Sequence, residues 1–288
     1  MKDYVIFADS ACDIEKDILN EWGVPTCSLT FRFDGEDKEY SNNDMPIAEF
    51  YNKMREGGVA KTAAVNSEAF KGAFEEIIKE GKDILYLGFS SGLSTTLNSA
   101  RIAASELSES YPDAKIIVLD TLAASAGIGI LIKMALDKKA EGADIDACAE
   151  FVRSRILNLC HWFTVDDLVY LKRGGRVSAA TAFFGNAMGI KPVLHVDNEG
   201  HLINVNKVRG RKTSIAALAD KYTELAENTE EGYVYISHGD CIDDATLLKN
   251  MIEEKHGAKV QIITNVGTVI GAHSGPGTLA LFFMGKER

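Results

Sequence analysis

Cysteine is scarce in this sequence of 288 residues, and the five cysteines present are widely scattered. No two of them form a C-x-x-C motif, so the sequence supports neither a disulfide framework nor a thiolate zinc site. We expect the thiols to be reduced, and most of them to be buried as small apolar side chains.

Long hydrophobic runs are also missing. The best candidate, Leu122–Ile132, is interrupted by Ser125 and two glycines and stops at Lys133. It is therefore well short of the ~18–20 apolar residues that span a bilayer. The start of the chain places an acid, Asp3, where a signal peptide would begin its apolar stretch. We expect a cytoplasmic protein.

Positive charge is under-represented, because 31 lysines and arginines stand against 42 aspartates and glutamates, a net charge of −11. The long-range field of such a chain repels polyanions, which argues against a broad nucleic-acid surface or an anionic-membrane surface. An anion bound by this protein would have to be small and held by local dipoles.

Apolar residues make up 46% of the sequence and charged residues 25%, the balance of a globular protein whose length fits two domains. Strands and helices alternate in the first part, which predicts a parallel sheet covered by helices. The predicted strands are Tyr4–Ala8, Thr26–Phe33, Asp83–Leu87 and Lys115–Leu119. One predicted helix begins at a capping box at Ser10–Asp13 and reaches Trp22, and another follows Ser90–Thr96 and reaches about Ser108. The other predicted helices are Pro46–Glu56, Glu68–Lys79, Ala123–Lys139 and Asp144–Leu159.

The pattern changes near residue 160, after which neighbouring strands follow one another with fewer helices between them. Asp197–Gly200 has the composition of a hairpin turn. We therefore predict a Rossmann-like α/β domain at 1–160 and a smaller α/β domain with an antiparallel sheet at 161–288, with a ligand cleft between them. The predicted strands of the second domain are Trp162–Val165, Lys191–Val196, His201–Val208, Tyr233–Ser237, Lys259–Thr264 and Thr278–Met284.

Gly88–Gly92 reads G-F-S-S-G and lies between a predicted strand and a predicted helix. This is the pattern of a nucleophile elbow, and Asp240 and His273 follow Ser90 in the order of an α/β-hydrolase triad. The alternative is a hydroxyl-rich turn at a helix start, which binds a carboxylate or a phosphate without chemistry. Both interpretations stay open on the residues alone.

Two further groups of residues are candidates for binding. Gly271–Gly277 encloses His273 between glycines that allow close approach to a ligand, and the histidine could contact an oxyanion. Leu168–Arg176 ends in three cations and two glycines, which fits either an anion-docking site or a solvated helix end. Gly127 and Gly129 lack the third glycine or alanine of a dinucleotide fingerprint, so close helix packing is expected there.

Taken in order, these motifs resemble the DegV family of bacterial fatty-acid-binding proteins. The resemblance covers essentially the whole chain. The motifs are Asp9-Ser10, Lys61-Thr62, Ser90–Ser94, Val118–Asp120, Ser125–Gly127, Leu171–Arg176, Gly189–Pro192, Lys207–Gly210 and His273–Gly277.

The resemblance implies a buried, palmitate-like fatty acid between two domains, with no other cofactor, no metal and no catalytic residue. Thr62, Ser94 and His273 would hold the carboxylate, with Thr95 beside them and with Ser90 and Ser91 as neighbours. Arg176 and Arg209 would face a partner, a fatty-acid kinase of the dihydroxyacetone-kinase-like type, which would form the acyl phosphate used in phospholipid synthesis.

The sequence departs from the family pattern at the head-group end. Thr62-Ala63 stands where the family usually has Thr-Ser, and Ser94-Thr95-Thr96 stands where it usually has Ser-Gly-Thr. These differences could accommodate a different head group, so another amphipathic carboxylate or phosphate is a further alternative.

Overall fold

The structure, a computed structural model, describes residues 2–177, 189–230 and 232–288. The strands are β1 (Tyr4–Asp9), β2 (Thr26–Cys27), β3 (Thr30–Phe33), β4 (Tyr40–Ser41), β5 (Ala60–Ala63), β6 (Asp83–Gly88), β7 (Ile116–Asp120), β8 (Leu159–Thr164), β9 (Ile190–Val196), β10 (Leu202–Arg209), β11 (Val234–His238), β12 (Ile262–Asn265) and β13 (Leu279–Met284).

The α-helices alternate with these strands over much of the chain. They are α1 (Lys16–Trp22), α2 (Ile47–Arg55), α3 (Ser67–Lys79), α4 (Thr96–Ser110), α5 (Ala126–Ala140), α6 (Ile145–Arg155), α7 (Val169–Arg173), α8 (Arg211–Leu225), α9 (Ile242–His256) and α10 (Thr268–Ser274). Across the ranges that the structure describes, no helix has both the length and the apolar character needed to cross a membrane.

The first sheet is parallel, with strand order β2-β1-β6-β7. Every residue of β6 is buried, as expected for a strand that is covered on both faces. The predicted parallel sheet is therefore confirmed. A small antiparallel sheet has the order β4-β3-β5.

The second sheet has the order β10-β9-β8-β13-β11-β12, and its pairs are antiparallel except β11 with β12. Asp197–Gly200 connects β9 to β10 as the predicted hairpin. The predicted fold class is thereby confirmed. The division into 1–160 and 161–288 stays a prediction.

Helix α5 lies between the two large sheets and contacts strands of both. Its glycines make this possible, since a Cβ added at Gly127 would lie 2.6 Å from His161 Nε2, and one at Gly129 would lie 2.5 Å from Ile14 Cδ1. Close packing, rather than dinucleotide binding, is thus the role of these two glycines.

Several predicted elements are wrong. Ser10–Cys12 is a single 3-10 turn capped by Asp9, and Asp13 adopts a left-handed backbone, so the first helix begins only at Lys16. The predicted strand Thr26–Phe33 is divided into β2 and β3, and no strand is predicted over Ala60–Ala63, which forms β5.

The second part of the chain contains more helix than its sequence pattern predicts. Helices α8 and α9 cover one face of the six-stranded sheet, where they bury Ile215, Leu218 and Leu248. The apolar stretch before His273 has a strand-like composition, but it forms a helix, α10.

Candidate functional site

A cavity of about 470 Å³ lies among β5, the turn before α4, the start of α5, α10 and one face of the six-stranded sheet. This volume is within the range of small-molecule sites. Its wall is mostly apolar. The apolar lining residues are Leu29, Ala63, Ala64, Phe89, Leu93, Ala124, Phe163, Leu171, Val196, Leu202, Val266, Val269, Ile270, Ala280 and Phe282.

The face of the six-stranded sheet forms the floor of the cavity. Ser237, Ala280 and Phe163 lie in register on β11, β13 and β8, and all three line the cavity. One pleat further along, Phe282 on β13 is in register with His161 on β8. Since side chains alternate between the faces of a sheet, these two rows share the face that the ligand would contact.

The structure brings four of the predicted carboxylate ligands to this cavity. Thr62 on β5, Ser94 and Thr95 in the turn before α4, and His273 on α10 all line it. Thr62 Oγ1 lies 2.9 Å from His273 Nε2. Because Thr95 is exposed and lines the cavity, the cavity reaches the surface at this end. We call this group the head-group end.

Burial and, to a lesser extent, the nearby charge of Arg176 lower the pKa of His273 to about 4, so its imidazole is neutral at neutral pH. Nδ1 has no hydrogen-bond partner among the described residues. An unpaired lone pair costs less there than an unpaired N–H, which favours the tautomer with the proton on Nε2. Nε2–H then donates to Thr62, and the Thr62 hydroxyl keeps its own proton for a ligand.

Ser94 is oriented by the helix that follows it. The backbone N–H of Thr96 donates to Ser94 Oγ over 3.2 Å, and the two hydroxyl oxygens lie 2.9 Å apart. When the Thr96 hydroxyl donates as well, Ser94 accepts both hydrogen bonds and its own proton is available to the cavity. Together with Thr62, this supplies two hydroxyl donors for a carboxylate.

Arg176 also lines the cavity and is half-buried. Its guanidinium donates to the carbonyl of Leu93 over 3.3 Å and to the carbonyl of Gly174. Burial lowers the pKa of Arg176 from its ordinary value, but it remains a cation. The structure therefore places this predicted docking residue at the head-group end, and its docking role stays a prediction.

Glycines fit α7 against α10 at this end. A Cβ at Gly174 would collide with His273 Nδ1, and one at Gly275 would collide with the Tyr170 ring. The sequence predicts close approach to a ligand at Gly275, whereas the structure shows close approach to Tyr170 instead.

The hydrolase triad does not form. Ser90 is fully buried, does not line the cavity, and donates to the carbonyl of Gly200 over 2.9 Å. Asp240 pairs with Arg55 over 2.6 Å, and His273 contacts Thr62. Ser90 is therefore a structural residue that joins the turn to the hairpin. Ser91 lines the cavity, and its place beside a carboxylate stays a prediction.

A second basic segment, which contains Lys207, Arg209, Arg211 and Lys212, does not line the cavity. Arg209 is exposed at the end of β10, and Arg211 is paired with Asp244 over 2.8 Å. Arg209 does not line the cavity, so the two predicted docking arginines have different surroundings.

Sequence reasoning missed five polar lining residues: Ser125, His161, Ser237, Ser274 and Thr278. Ser274 follows His273 directly, and its buried Oγ has no partner among the described residues, so it could join the head-group end. Ser125 belongs to one of the family motifs, which was the available signal. For His161 and Ser237 the signal is weak, since a single polar residue in a strand does not reveal what its face contacts.

A sequence model of the DegV family matches residues 3–286. The chain is 44% identical over 291 residues to DegV domain-containing protein CPE0026 of Clostridium perfringens (strain 13 / Type A), covering 100% of this chain and 99% of that protein. It is 34% identical over 291 residues to a fatty acid-binding protein of Thermotoga maritima, covering 98% of each.

The fold agrees with these sequence relationships. The solved structure of a fatty-acid-binding DegV family protein from Thermus thermophilus superposes with a TM-score of 0.89 at 28% identity, covering 99% of this chain and 100% of that one. The match of both sequence and fold extends over nearly the whole chain, and the protein is therefore a member of the DegV family.

Proposed function

We propose that this protein binds a long-chain fatty acid in the cavity, with the carboxylate at Thr62, Ser94, Thr95 and His273. The observation that carries the proposal is a mostly apolar cavity that has the hydroxyls of Thr62 and Ser94 and the neutral imidazole of His273 at its head-group end. Relatives of the same family are named for fatty-acid binding, which supports the choice of ligand.

Burial of the acyl chain would supply the affinity. A palmitate-like chain has about fourteen methylenes, and at ~0.8 kcal/mol each its burial would contribute roughly 11 kcal/mol before association costs. The polar end would then fix orientation. Such binding requires no general base or nucleophile, so we propose a carrier and not an enzyme.

We further propose that the bound carboxylate is presented to a separate fatty-acid kinase, which forms the acyl phosphate. Two features support this part. The cavity reaches the surface at exposed Thr95, close to the carboxylate ligands. Arg209 adds an exposed cation, and such rim charges steer association with a partner of opposite charge. The cleft between 1–160 and 161–288 would hold the ligand.

Native mass spectrometry of the protein as purified from cells tests the proposal. We expect a mass increase equal to one fatty acid, which organic extraction removes and which titration with palmitate restores. An unliganded protein that does not take up palmitate would contradict the proposal. A retained molecule other than a fatty acid would identify the ligand as another amphipathic carboxylate or phosphate.

A further inference from the structure

Three polar side chains interrupt the apolar wall away from the head-group end. Ser125 lines the cavity at the N-cap of α5, and His161 and Ser237 line it on the sheet floor. We call these three residues the mid-cavity patch. The role inferred for the patch rests on the proposed function, because it concerns the part of the cavity that would hold the acyl chain.

His161 is the strongest member of the patch. Its side chain is buried, with 1% of the residue exposed, and neither ring nitrogen has a hydrogen-bond partner among the residues that the structure describes. The ring packs edge-on against Phe282 at 5.6 Å and faces the open Cα of Gly127. Burial holds its pKa well below the ordinary value, so it presents one donor and one acceptor nitrogen.

Ser237 ends a chain of hydrogen bonds. Ser125 Oγ lies 3.0 Å from Ser237 Oγ and 2.6 Å from a carboxyl oxygen of Asp13, which is itself buried. Ser125 is held in this place by an unusual backbone, with φ of 54°. Whichever way the protons run along this chain, the Ser237 oxygen keeps hydrogen-bonding capacity toward the cavity.

The register of the sheet gives the position of His161 along the cavity relative to Thr278. Thr278 lines the cavity, and its hydroxyl donates to Gly275 at the end of α10, next to the head-group end. Phe282 is four residues further along β13 and is paired with His161. At ~3.3 Å per residue, His161 lies about 13 Å from the level of Thr278, where the middle of the chain would pass.

We propose that the mid-cavity patch recognises a hydroxyl group on the acyl chain, so that hydroxy fatty acids are ligands of this protein. An unmodified methylene chain would cover His161 and Ser237 without replacing the hydrogen bonds that both groups make in water. A hydroxyl is both donor and acceptor and therefore matches a neutral imidazole beside a serine. A plain apolar wall would instead discriminate against the hydroxyl.

The test compares stearic acid with monohydroxylated stearic acids whose hydroxyl is moved along the chain, using lipid-free protein in a competition assay. In the unmodified protein we expect one positional isomer to bind at least as tightly as stearic acid. His161→Phe keeps an aromatic ring but removes the ring nitrogens. In this variant the affinity for that isomer should fall about tenfold, as for the loss of one net hydrogen bond, whereas the affinity for stearic acid should not fall.

A second test variant and a control variant complete the experiment. Ser237→Ala should reduce affinity for the same isomer, and it keeps the test valid if His161→Phe does not fold. His238→Phe removes a buried histidine of the same sheet that does not line the cavity, and it should leave both ligands unaffected. The proposal is wrong if every hydroxylated isomer binds more weakly than stearic acid and if the ratio of the two affinities is the same in the unmodified protein and in the variants. If stearic acid itself does not bind, the fatty-acid proposal fails, and this inference fails with it.

Discussion

His273 and Thr62 are 211 residues apart in the chain, yet their Nε2 and Oγ1 atoms lie 2.9 Å apart. The contact joins α10 to β5, and Gly174 allows it because any larger residue there would occupy the place of the imidazole. The head-group end is therefore assembled from three distant segments, and each of them can be tested separately.

Thr62→Val and Ser94→Ala each remove one hydroxyl donor to the carboxylate. A hydrogen bond to a charged group contributes ~1.5–3 kcal/mol, so fatty-acid affinity should fall roughly ten- to hundredfold in each variant. Competition binding measures the affinity, and thermal unfolding checks the fold. Thr223→Val, on exposed α8 surface, is the control and should bind normally. Normal binding in both test variants would place the carboxylate elsewhere.

Substitutions of Arg176 and of Arg209 should have different effects on ligand binding and on partner docking. Arg176→Ala should weaken fatty-acid binding, because this cation lines the cavity beside His273. Arg209→Ala should leave bound fatty acid unchanged and slow kinase-dependent acyl-phosphate formation, with the difference from the unmodified protein shrinking as salt screens the charge. Lipid content and kinase-coupled turnover are measured on the same samples. Unchanged turnover in Arg209→Ala at low salt would remove this residue from the docking surface.

The His273 imidazole makes stability depend on pH. Its pKa is about 4 in the folded protein and 6.5 ordinarily, so between these values the unfolded chain binds a proton that the folded protein does not. Stability is therefore lost as the pH falls from about 6.5 toward 4, by about 3 kcal/mol for this residue.

Chemical denaturation at several pH values measures this contribution as the difference between the unmodified protein and His273→Gln. The variant should lose less stability on acidification. His201→Gln, at an exposed position after the β9–β10 turn, is the matched control. Equal acid sensitivity in the protein and His273→Gln would contradict a neutral, buried imidazole.

Ser90 should not behave as a nucleophile. Because its hydroxyl is buried against the Gly200 carbonyl, a fluorophosphonate probe should label neither the unmodified protein nor Ser90→Ala. The substitution should instead lower the free energy of unfolding by about 1 kcal/mol, since it leaves the Gly200 carbonyl without this partner. Stoichiometric labelling that disappears in Ser90→Ala would restore the hydrolase alternative.

Arg288 connects distant segments through its side chain. The guanidinium donates to four backbone carbonyls at 2.7–3.1 Å, those of Ile156, Leu159, Leu122 and Asp197. Arg288→Ala should lower the free energy of unfolding by about 3 kcal/mol, because buried carbonyls lose charged donors. Arg153→Ala, which removes an exposed ion pair with Glu150, should change stability by less than about 1 kcal/mol. Similar losses in the two variants would show that the Arg288 contacts are dispensable.

The elements whose apolar pattern is strong and local are predictable from the sequence. Strands β1, β6 and β7, the hairpin at Asp197–Gly200 and the antiparallel character of the second part all follow from such patterns. The resemblance in ordered motifs likewise singled out Thr62, Ser94, Thr95 and His273, which the structure gathers around one cavity. Local patterns succeed here because alternation and turn composition depend on neighbouring residues only.

Which of the polar groups line the cavity follows only from the tertiary structure. Ser90 and Ser91 are adjacent and chemically alike, yet one bonds to Gly200 and the other lines the cavity. Arg176 stands in a basic sequence motif, but its guanidinium donates to the backbone carbonyls of Leu93 and Gly174, which places it at the head-group end. His161 and Ser237 join the cavity only through the pairing of β13 with β8 on one side and with β11 on the other. Which side of a strand meets a ligand depends on packing between segments far apart in the chain, and no local pattern encodes that.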